Sequence, residues 1–332
     1  MILDNAIVVM IREEDKKMAL VLMLAGGVGI IQVGFIITTI QKACPGLTKY
    51  AAVRQAIRII QVSPVALMVA SAIWLFFLVF LPAKVEHPYS SKEGQILIIV
   101  ASYLWLNVTF NYFAAMLKSP GYPLTALEIQ ESGLSMENDS ILCFKCDRMK
   151  SCDTHHCATC GTCVTMMCHH CPFTNNCVGL KNYSYFYLFI CYSNIGLLFS
   201  LYMTYDPFYY CMVNNDEGVS LLPWSPPGLC KKLGDFAVIF IPVAFMAMFA
   251  AAMFLLQTVL LATDFSTIDL LTKMQRSPNF MHFGRLLCDR IIRQKKRRFQ
   301  IMFFYSREQW WHFLVPSFNV PTRHLETVKL IV

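Results

Sequence analysis

A short cysteine- and histidine-rich stretch constrains this chain most strongly. Residues 143–186 hold nine of the fourteen cysteines and four of the eight histidines. Three cysteine pairs have the C-x2-C spacing by which two thiolates reach one tetrahedral zinc ion: Cys143/Cys146, Cys157/Cys160 and Cys160/Cys163. A disulfide framework would also use many cysteines, but it has no need of the interleaved histidines, which bind zinc. The pattern therefore favours a zinc-binding domain over a disulfide-bonded one.

The rest of the chain has the composition of a membrane protein. It is 56% hydrophobic and 15% charged, against about 25% charged residues in soluble domains. Four uncharged runs are each long enough for the ~20 residues that cross a bilayer, namely 63–81, 95–117, 185–205 and 236–262. A buried helix of a soluble core could explain one run, but four together favour a polytopic membrane protein. Ser63-Pro64 predicts the start of the first helix.

A fifth uncharged run, residues 19–40, is also long enough to span a membrane. A mixed-charge segment precedes it and no small-residue cleavage site follows, which is unlike a signal peptide. We therefore expect an additional N-terminal transmembrane helix here.

Loop charges predict the orientation of the chain. Lysine and arginine are concentrated before residue 63 and after residue 262, and they are sparse in the loops at 82–94 and 206–235. Positive loops face the cytosol, which places residues 143–177 and the C-terminal tail on the cytosolic side. A reducing compartment also suits zinc thiolates and a nucleophilic thiol.

The cysteine and histidine spacing is more specific than zinc binding alone. It runs C-x2-C, nine residues, HC-x2-C-x2-C, four residues, C-H-H-C, five residues and Cys177, followed by Asn182 and Phe186. This resembles the cysteine-rich domain of the DHHC-type protein S-acyltransferases, or palmitoyltransferases. The Asp-His-His-Cys of that family stands here as Cys168-His169-His170-Cys171.

The resemblance implies a polytopic α-helical membrane protein with four core transmembrane helices, to which the N-terminal helix would be an addition. A cytosolic cysteine-rich two-zinc domain would lie between core helices two and three. The expected organisation is an N-terminal segment 1–62, helices one and two in 63–117, the zinc domain in 118–184 with its motif at 143–186, helices three and four in 185–262, and a basic cytosolic tail in 263–332.

The resemblance also assigns residues to roles. Two structural zinc ions would have four ligands each, one set being Cys143, Cys146, His156 and Cys163 and the other Cys157, Cys160, His170 and Cys177. Cys171 would be the nucleophile that carries the acyl group, and His169 would take its proton. Acyl-CoA, such as palmitoyl-CoA, would be the co-substrate, with Lys150 contacting its phosphates. Protein substrates with membrane-proximal cysteines would be the acceptors.

Several positions depart from the family pattern. Cys168 replaces the Asp that orients the His, and Asp153 stands where an Arg is usual. Ser119-Pro120-Gly121 replaces Asp-Pro-Gly, and residues 266–269 are a weakened Thr-Thr-x-Glu motif. Three hypotheses remain open: an acyltransferase of reduced rate, a DHHC-like membrane adaptor without turnover, and a metal or redox role for the Cys168/Cys171 pair.

The remaining features concern membranes rather than nucleic acid. The net charge of +7 comes largely from the C-terminal tail, so we expect no nucleic-acid partner. An approximate apolar stripe (Phe283, Leu286, Leu287 and Ile291) lies beside basic residues there, as in a helix on an anionic leaflet, although a solvated charged segment explains it equally well. No tandem repeat is apparent. We expect a protein of the endomembrane system (Golgi or endoplasmic reticulum) or the plasma membrane.

Overall fold

The structure is a computed structural model that describes residues 51–85, 87–132, 141–150, 154–213, 234–277, 279–293 and 314–316. The predicted N-terminal span at 19–40 lies outside these ranges. The chain divides into two units, the first within residues 1–109 and 190–252 and the second within residues 110–189 and 253–332.

Helices make up most of the described chain. They are α1 Ala51–Leu75, α2 Leu81–Lys84, α3 Lys92–Leu117, α4 Ala126–Ser132, α5 Tyr183–Val213, α6 Gly234–Thr263, α7 Thr267–Arg276 and α8 Phe280–Arg293, with a π-helical turn Phe76–Phe80 between α1 and α2. Three are long and apolar enough to cross a membrane within the described part of the chain, over Lys92–Leu117, Tyr183–Asp206 and Phe240–Thr263. They correspond to the second, third and fourth predicted runs.

The first predicted helix begins earlier than expected. Ser63-Pro64 does not start it, because α1 already runs from Ala51 and contains Pro64. A proline within a helix cannot donate to the carbonyl four residues before it, here that of Ile60. The Ser63 hydroxyl donates to this carbonyl instead, at 3.4 Å, so the helix continues through the proline. Its apolar part, Val62–Leu78, is shorter than the other three spans.

The first unit has an apolar core formed by its helices. A cluster of buried side chains joins the end of α1, the π-helical turn and α2 to α3, α5 and α6, through Leu75, Phe76, Phe80, Leu81, Ala101, Met203 and Val243. Two polar contacts join helices of this unit: the Trp105 indole donates to the Val69 carbonyl at 2.8 Å, and Lys84 forms an ion pair with Asp206.

Three antiparallel β-hairpins form the cysteine-rich part of the second unit. Their strands are β1 Ile141–Cys143 with β2 Arg148–Lys150, β3 His155–Cys157 with β4 Thr162–Val164, and β5 His169–Cys171 with β6 Asn176–Val178. Equivalent positions recur every 14 residues, and the pairing register is the same in all three. The expectation of no tandem repeat was therefore wrong.

The turns of the three hairpins explain how different sequences form the same structure. Asp147, Gly161 and Asn175 occupy the last turn position of hairpins one, two and three, and their φ angles are 52°, 67° and 44°. Left-handed backbone is accessible to glycine and, with a short polar side chain, to Asp and Asn. The three hairpins thus share a backbone conformation as well as a cysteine spacing.

Helices α7 and α8 follow the last apolar helix. Ser266 caps α7 through a reciprocal capping box with Asp269. The predicted apolar stripe lies on α8, where Phe283 is buried and Ile291 is exposed. The basic cluster at 295–298 lies outside the described residues.

Candidate functional site: two Cys/His clusters and the Cys-His strand

The eight predicted metal ligands form two separate clusters. In each, the four ligand atoms lie within 4.8 Å of one another; the sets are Cys143, Cys146, His156 and Cys163, and Cys157, Cys160, His170 and Cys177. In the first cluster, Cys143 Sγ is 3.6 Å from His156 Nδ1 and Cys146 Sγ is 3.5 Å from Cys163 Sγ. The structure therefore brings together all eight residues in the two predicted groups.

The second cluster has the same geometry. His170 Nδ1 lies 3.4 Å from Cys160 Sγ, 3.7 Å from Cys157 Sγ and 3.6 Å from Cys177 Sγ. Ligand atoms around a tetrahedral zinc ion, with Zn–S bonds of about 2.3 Å, would be about 3.8 Å apart. These spacings fit zinc held by three thiolates and one imidazole, a set that leaves no ligand position for a catalytic water.

The hairpin repeat accounts for the interleaving of the ligands. Each cluster takes two cysteines from one hairpin, at the end of its first strand and in its turn, and a His and a Cys from the strands of the next hairpin. One cluster therefore joins hairpins one and two, and the other joins hairpins two and three. Strands of three residues bury little apolar surface, so metal would supply most of the folding free energy of this region.

Cys171 lies in hairpin three, which gives His170 and Cys177 to the second cluster. The described residues show no third cluster that would include Cys171. Cys171 occupies the position that Cys143 and Cys157 have in the first two hairpins, but Thr174 follows at the place of the second cysteine. The Cys171 side chain is buried. Burial raises the pKa of its thiol, although hydrogen bonds from Thr174 and from the Phe173 backbone act in the opposite direction.

His169 lies two residues before Cys171 on the same strand. Its ring packs edge-on against the Phe186 ring, with centroids 5.1 Å apart. Its Nδ1 is buried and has no hydrogen-bond partner among the described residues. Burial lowers the pKa of His169 to about 4, with a smaller contribution from the charge of His170, so the imidazole is neutral near pH 7.

Cys168 is buried and contacts polar groups on elements distant in sequence. Its Sγ lies 3.3 Å from Thr267 Oγ1 and 3.5 Å from Gln257 Oε1. The Tyr183 hydroxyl donates to the same Gln257 oxygen at 3.1 Å. Sequence analysis had not identified Gln257 or Tyr183, although a glutamine within an otherwise apolar span is an indication of a functional or packing role.

Both weakened motifs have structural roles in the second unit. Gly121 has a φ of +95°; its carbonyl accepts from the Thr165 amide, and the Pro120 carbonyl accepts from the Lys181 amide, both at 3.0 Å. In the other motif, the Ser266 hydroxyl and the Asp269 carboxylate cap α7. This cap fixes the start of the helix and with it the position of Thr267 beside Cys168.

Two asparagines tie the hairpins to the end of α3. The Asn176 amide donates to the carbonyls of Ala115, Met116 and Lys118 at 2.8–3.2 Å. The Asn182 amide donates to the carbonyls of Ala115 and Cys177, and its oxygen accepts from the Gly179 amide. The last carbonyls of a helix have no partner within the helix, and here the asparagine side chains satisfy them.

Replacing Asn182 with alanine is expected to destabilise the second unit. Asn182 is fully buried, so its removal takes away the acceptor of the Gly179 amide and a donor to the Cys177 carbonyl, at a cost of about 2 kcal/mol. A thermal unfolding assay in detergent would measure the change. Asn279→Ala is the matched control, because Asn279 is exposed and its side chain caps only α8. Equal melting temperatures for the two variants would contradict the predicted role of Asn182.

Lys150 ends β2, where it pairs with Ile141, and its side chain is half-buried. Its contact with CoA phosphates stays a prediction. Asp153, which stands where the family usually has an Arg, lies outside the described residues.

A family comparison identifies the region that contains both clusters. The model of the DHHC palmitoyltransferase family matches residues 136–274, which include all six strands, Cys168–Cys171, Gln257 and Thr267. This match supports a DHHC-type protein S-acyltransferase. The described residues include three helices long and apolar enough to cross a membrane and two Cys/His clusters able to bind metal.

Similar proteins carry names of the same kind. "Probable protein S-acyltransferase 14" of Arabidopsis thaliana is 25% identical over 72% of this chain and 77% of its own length. "Probable protein S-acyltransferase 15" of the same plant is 34% identical over 33% of this chain and 45% of its own length. "Palmitoyltransferase ZDHHC3" of Rattus norvegicus is 28% identical over 61% of this chain and 66% of its own length. The chain thus spans between about half and three quarters of these relatives.

Proposed function

We propose that the protein is an S-acyltransferase that moves a long-chain fatty acyl group, such as palmitoyl, from acyl-CoA to a cysteine of a protein substrate. One observation carries the proposal: β5 has His169 and Cys171 two residues apart, and His170 between them belongs to a metal cluster. Side chains alternate along a strand, so this strand presents the base and the nucleophile on one face while the other face is held by metal.

In the first step, the Cys171 thiol gives its proton to the neutral His169 and its sulfur attacks the thioester carbon of acyl-CoA. The new S–C bond forms as the bond to the CoA sulfur breaks, and the CoA thiolate takes up a proton. An adjacent base is needed because burial keeps the Cys171 thiol protonated. The step leaves an acyl thioester on Cys171.

In the second step, the thiolate of a substrate cysteine attacks the acyl carbon on Cys171. The bond between the acyl carbon and Cys171 Sγ breaks, the acyl group passes to the substrate, and the Cys171 thiolate takes up the proton that the substrate thiol had released. The apolar spans would accommodate the fatty chain, and Lys150 would contact the CoA phosphates. Zinc in the two clusters would hold the hairpins, and hence β5, in place.

The membrane arrangement belongs to the same proposal. Four core helices, formed by residues 63–117 and 185–262, would cross the bilayer, with the zinc domain 118–184 and the tail 263–332 in the cytosol of an endomembrane or plasma-membrane protein. The loop charges support this orientation. Acyl-CoA and membrane-proximal substrate cysteines would then meet Cys171 at the cytosolic membrane surface.

A membrane adaptor without turnover is the second candidate function. Its supporting observation is that His169 Nδ1 has no hydrogen-bond partner in the described chain. The orienting aspartate of the family is replaced by Cys168, and loss of that carboxylate in a serine triad costs about ten-thousand-fold in turnover. An adaptor would bind protein partners at this site without becoming acylated.

Incubation of the purified protein with a labelled long-chain acyl-CoA distinguishes the two functions. The acyltransferase is expected to take up label that neutral hydroxylamine releases, because hydroxylamine cleaves thioesters and leaves amides intact. Peptide mapping should place the label on Cys171. Protein that retains two zinc ions but takes up no label would contradict the enzyme and favour the adaptor.

A further inference from the structure

We infer that Gln257 and Tyr183 are positioning residues for acyl transfer, which hold the strand carrying His169 and Cys171 through the side chain of Cys168. The inference rests on the proposed function and concerns the same site. It assigns a role to a glutamine in the last apolar helix and to the first residue of α5.

Burial and chemistry set Gln257 apart from its surroundings. Its side chain is 1% exposed, in a helix whose sequence from Phe240 to Thr263 is otherwise long and apolar enough to span a membrane. A buried amide in such a helix costs free energy unless its polar atoms are hydrogen-bonded. Gln257 Oε1 accepts from the Tyr183 hydroxyl at 3.1 Å and lies 3.5 Å from Cys168 Sγ.

Cys168 transmits this constraint to β5. Its backbone amide donates to the Val178 carbonyl at 2.8 Å, so it extends the hairpin by one residue beyond His169. Holding its side chain against α6 therefore fixes the start of the strand. A thiol is a weak hydrogen-bond donor, and the second contact, from Tyr183, fixes the orientation of the glutamine that receives it.

Helix α5 acts on the same strand at a second point. Tyr183 and Phe186 are three residues apart and so share one face of the helix. Phe186 packs on the His169 ring, while Tyr183 reaches Cys168 through Gln257. Cys168, just before the strand, and His169, its first residue, are thus held by one helix face, which compensates for the missing hydrogen bond at His169 Nδ1.

Gln257→Met and Tyr183→Phe test the inference. Methionine keeps the length of glutamine without its amide, and phenylalanine removes a single hydroxyl. Each variant is expected to lower the single-turnover rate of Cys171 acylation by roughly tenfold, since small displacements of reacting groups have effects of this size. The KM for acyl-CoA should stay within about twofold, as expected of residues that act by positioning alone, and both metal ions should be retained, because neither residue belongs to a metal cluster.

Thr263→Val is the matched control. Thr263 is buried in the same helix, but its hydroxyl bonds only to Val259 and Leu260 of that helix, so its loss should leave the rate near that of the unmodified protein. A double-mutant cycle that combines Gln257→Met with Cys168→Ala gives a second test. If Gln257 acts through Cys168, the double variant should be no slower than the slower single variant.

Different results overturn different claims. A normal rate in Tyr183→Phe and Gln257→Met, an equal loss in Thr263→Val, or additive losses in the cycle would each refute the positioning role while the acyltransferase stands. If Gln257→Met loses a metal ion, its lower rate could come from damage to the hairpins. The acylation rate of Tyr183→Phe, which removes only one hydroxyl, then decides the test. No acyl-enzyme in the unmodified protein would remove the proposed function, and this inference with it.

Discussion

Cys171→Ala is expected to abolish the acyl-enzyme, reducing hydroxylamine-sensitive label to background. The chain has thirteen other cysteines, and labelled protein alone would not distinguish among them. The proposed mechanism places the covalent intermediate on one sulfur, so the loss should be complete rather than partial. Metal analysis of the same preparation should still find about two zinc ions, because Cys171 belongs to neither cluster.

Cys288→Ala is the control for this experiment. Cys288 lies exposed on α8, so it is accessible to nonspecific acylation and is far from the hairpin repeat in sequence. Its variant should keep the label of the unmodified protein. Label that survives in Cys171→Ala and disappears in Cys288→Ala would show surface acylation, and it would refute the assignment of Cys171 as the nucleophile.

Loss of a metal ligand is expected to have the second large effect. Cys143→Ala and Cys160→Ala should each lower the yield of folded protein severalfold, because structural zinc contributes on the order of 10 kcal/mol to such domains. Hairpin two supplies ligands to both clusters. Damage at either cluster should therefore lower the content of both ions, from about two per chain.

The measurement is metal content per folded chain after size-exclusion chromatography. Cys191→Ala, at a half-buried cysteine of α5 that belongs to neither cluster, should retain both ions and the normal yield. A normal yield with about two ions in Cys160→Ala would contradict the interleaved ligand assignment.

Local patterns in the sequence predicted which cysteines and histidines come together in the two clusters. A C-x2-C pair within a tight turn brings two thiolates together whatever surrounds it, and the four-ligand sets followed from the family resemblance. The apolar spans were predictable for the same reason, since length and composition decide them. The start of the first helix was not predicted correctly. Pro64 has no amide hydrogen to donate to the Ile60 carbonyl, but the Ser63 hydroxyl donates to that carbonyl instead, and the helix continues through the proline.

Contacts between distant segments could not be predicted. Gln257 and Cys168 are 89 residues apart, and no local pattern indicates that one receives the thiol of the other. The hairpin repeat was missed for a different reason. The left-handed turn position that the hairpins share is filled by Asp147, Gly161 and Asn175. These residues differ in type but share a backbone preference, so a comparison of residue types does not reveal the repeat.

The third hairpin differs from the other two at one turn position. In hairpins one and two, the cysteine that ends the first strand and the cysteine in the turn both belong to a Cys/His cluster, whereas hairpin three has the same backbone with Thr174 in place of the turn cysteine. A hydroxyl is a poor ligand for zinc beside thiolates. Cys171, the proposed nucleophile, thus stands where the first two hairpins have a metal-cluster cysteine, and Thr174 in the turn would leave its sulfur free of metal and able to attack the acyl carbon.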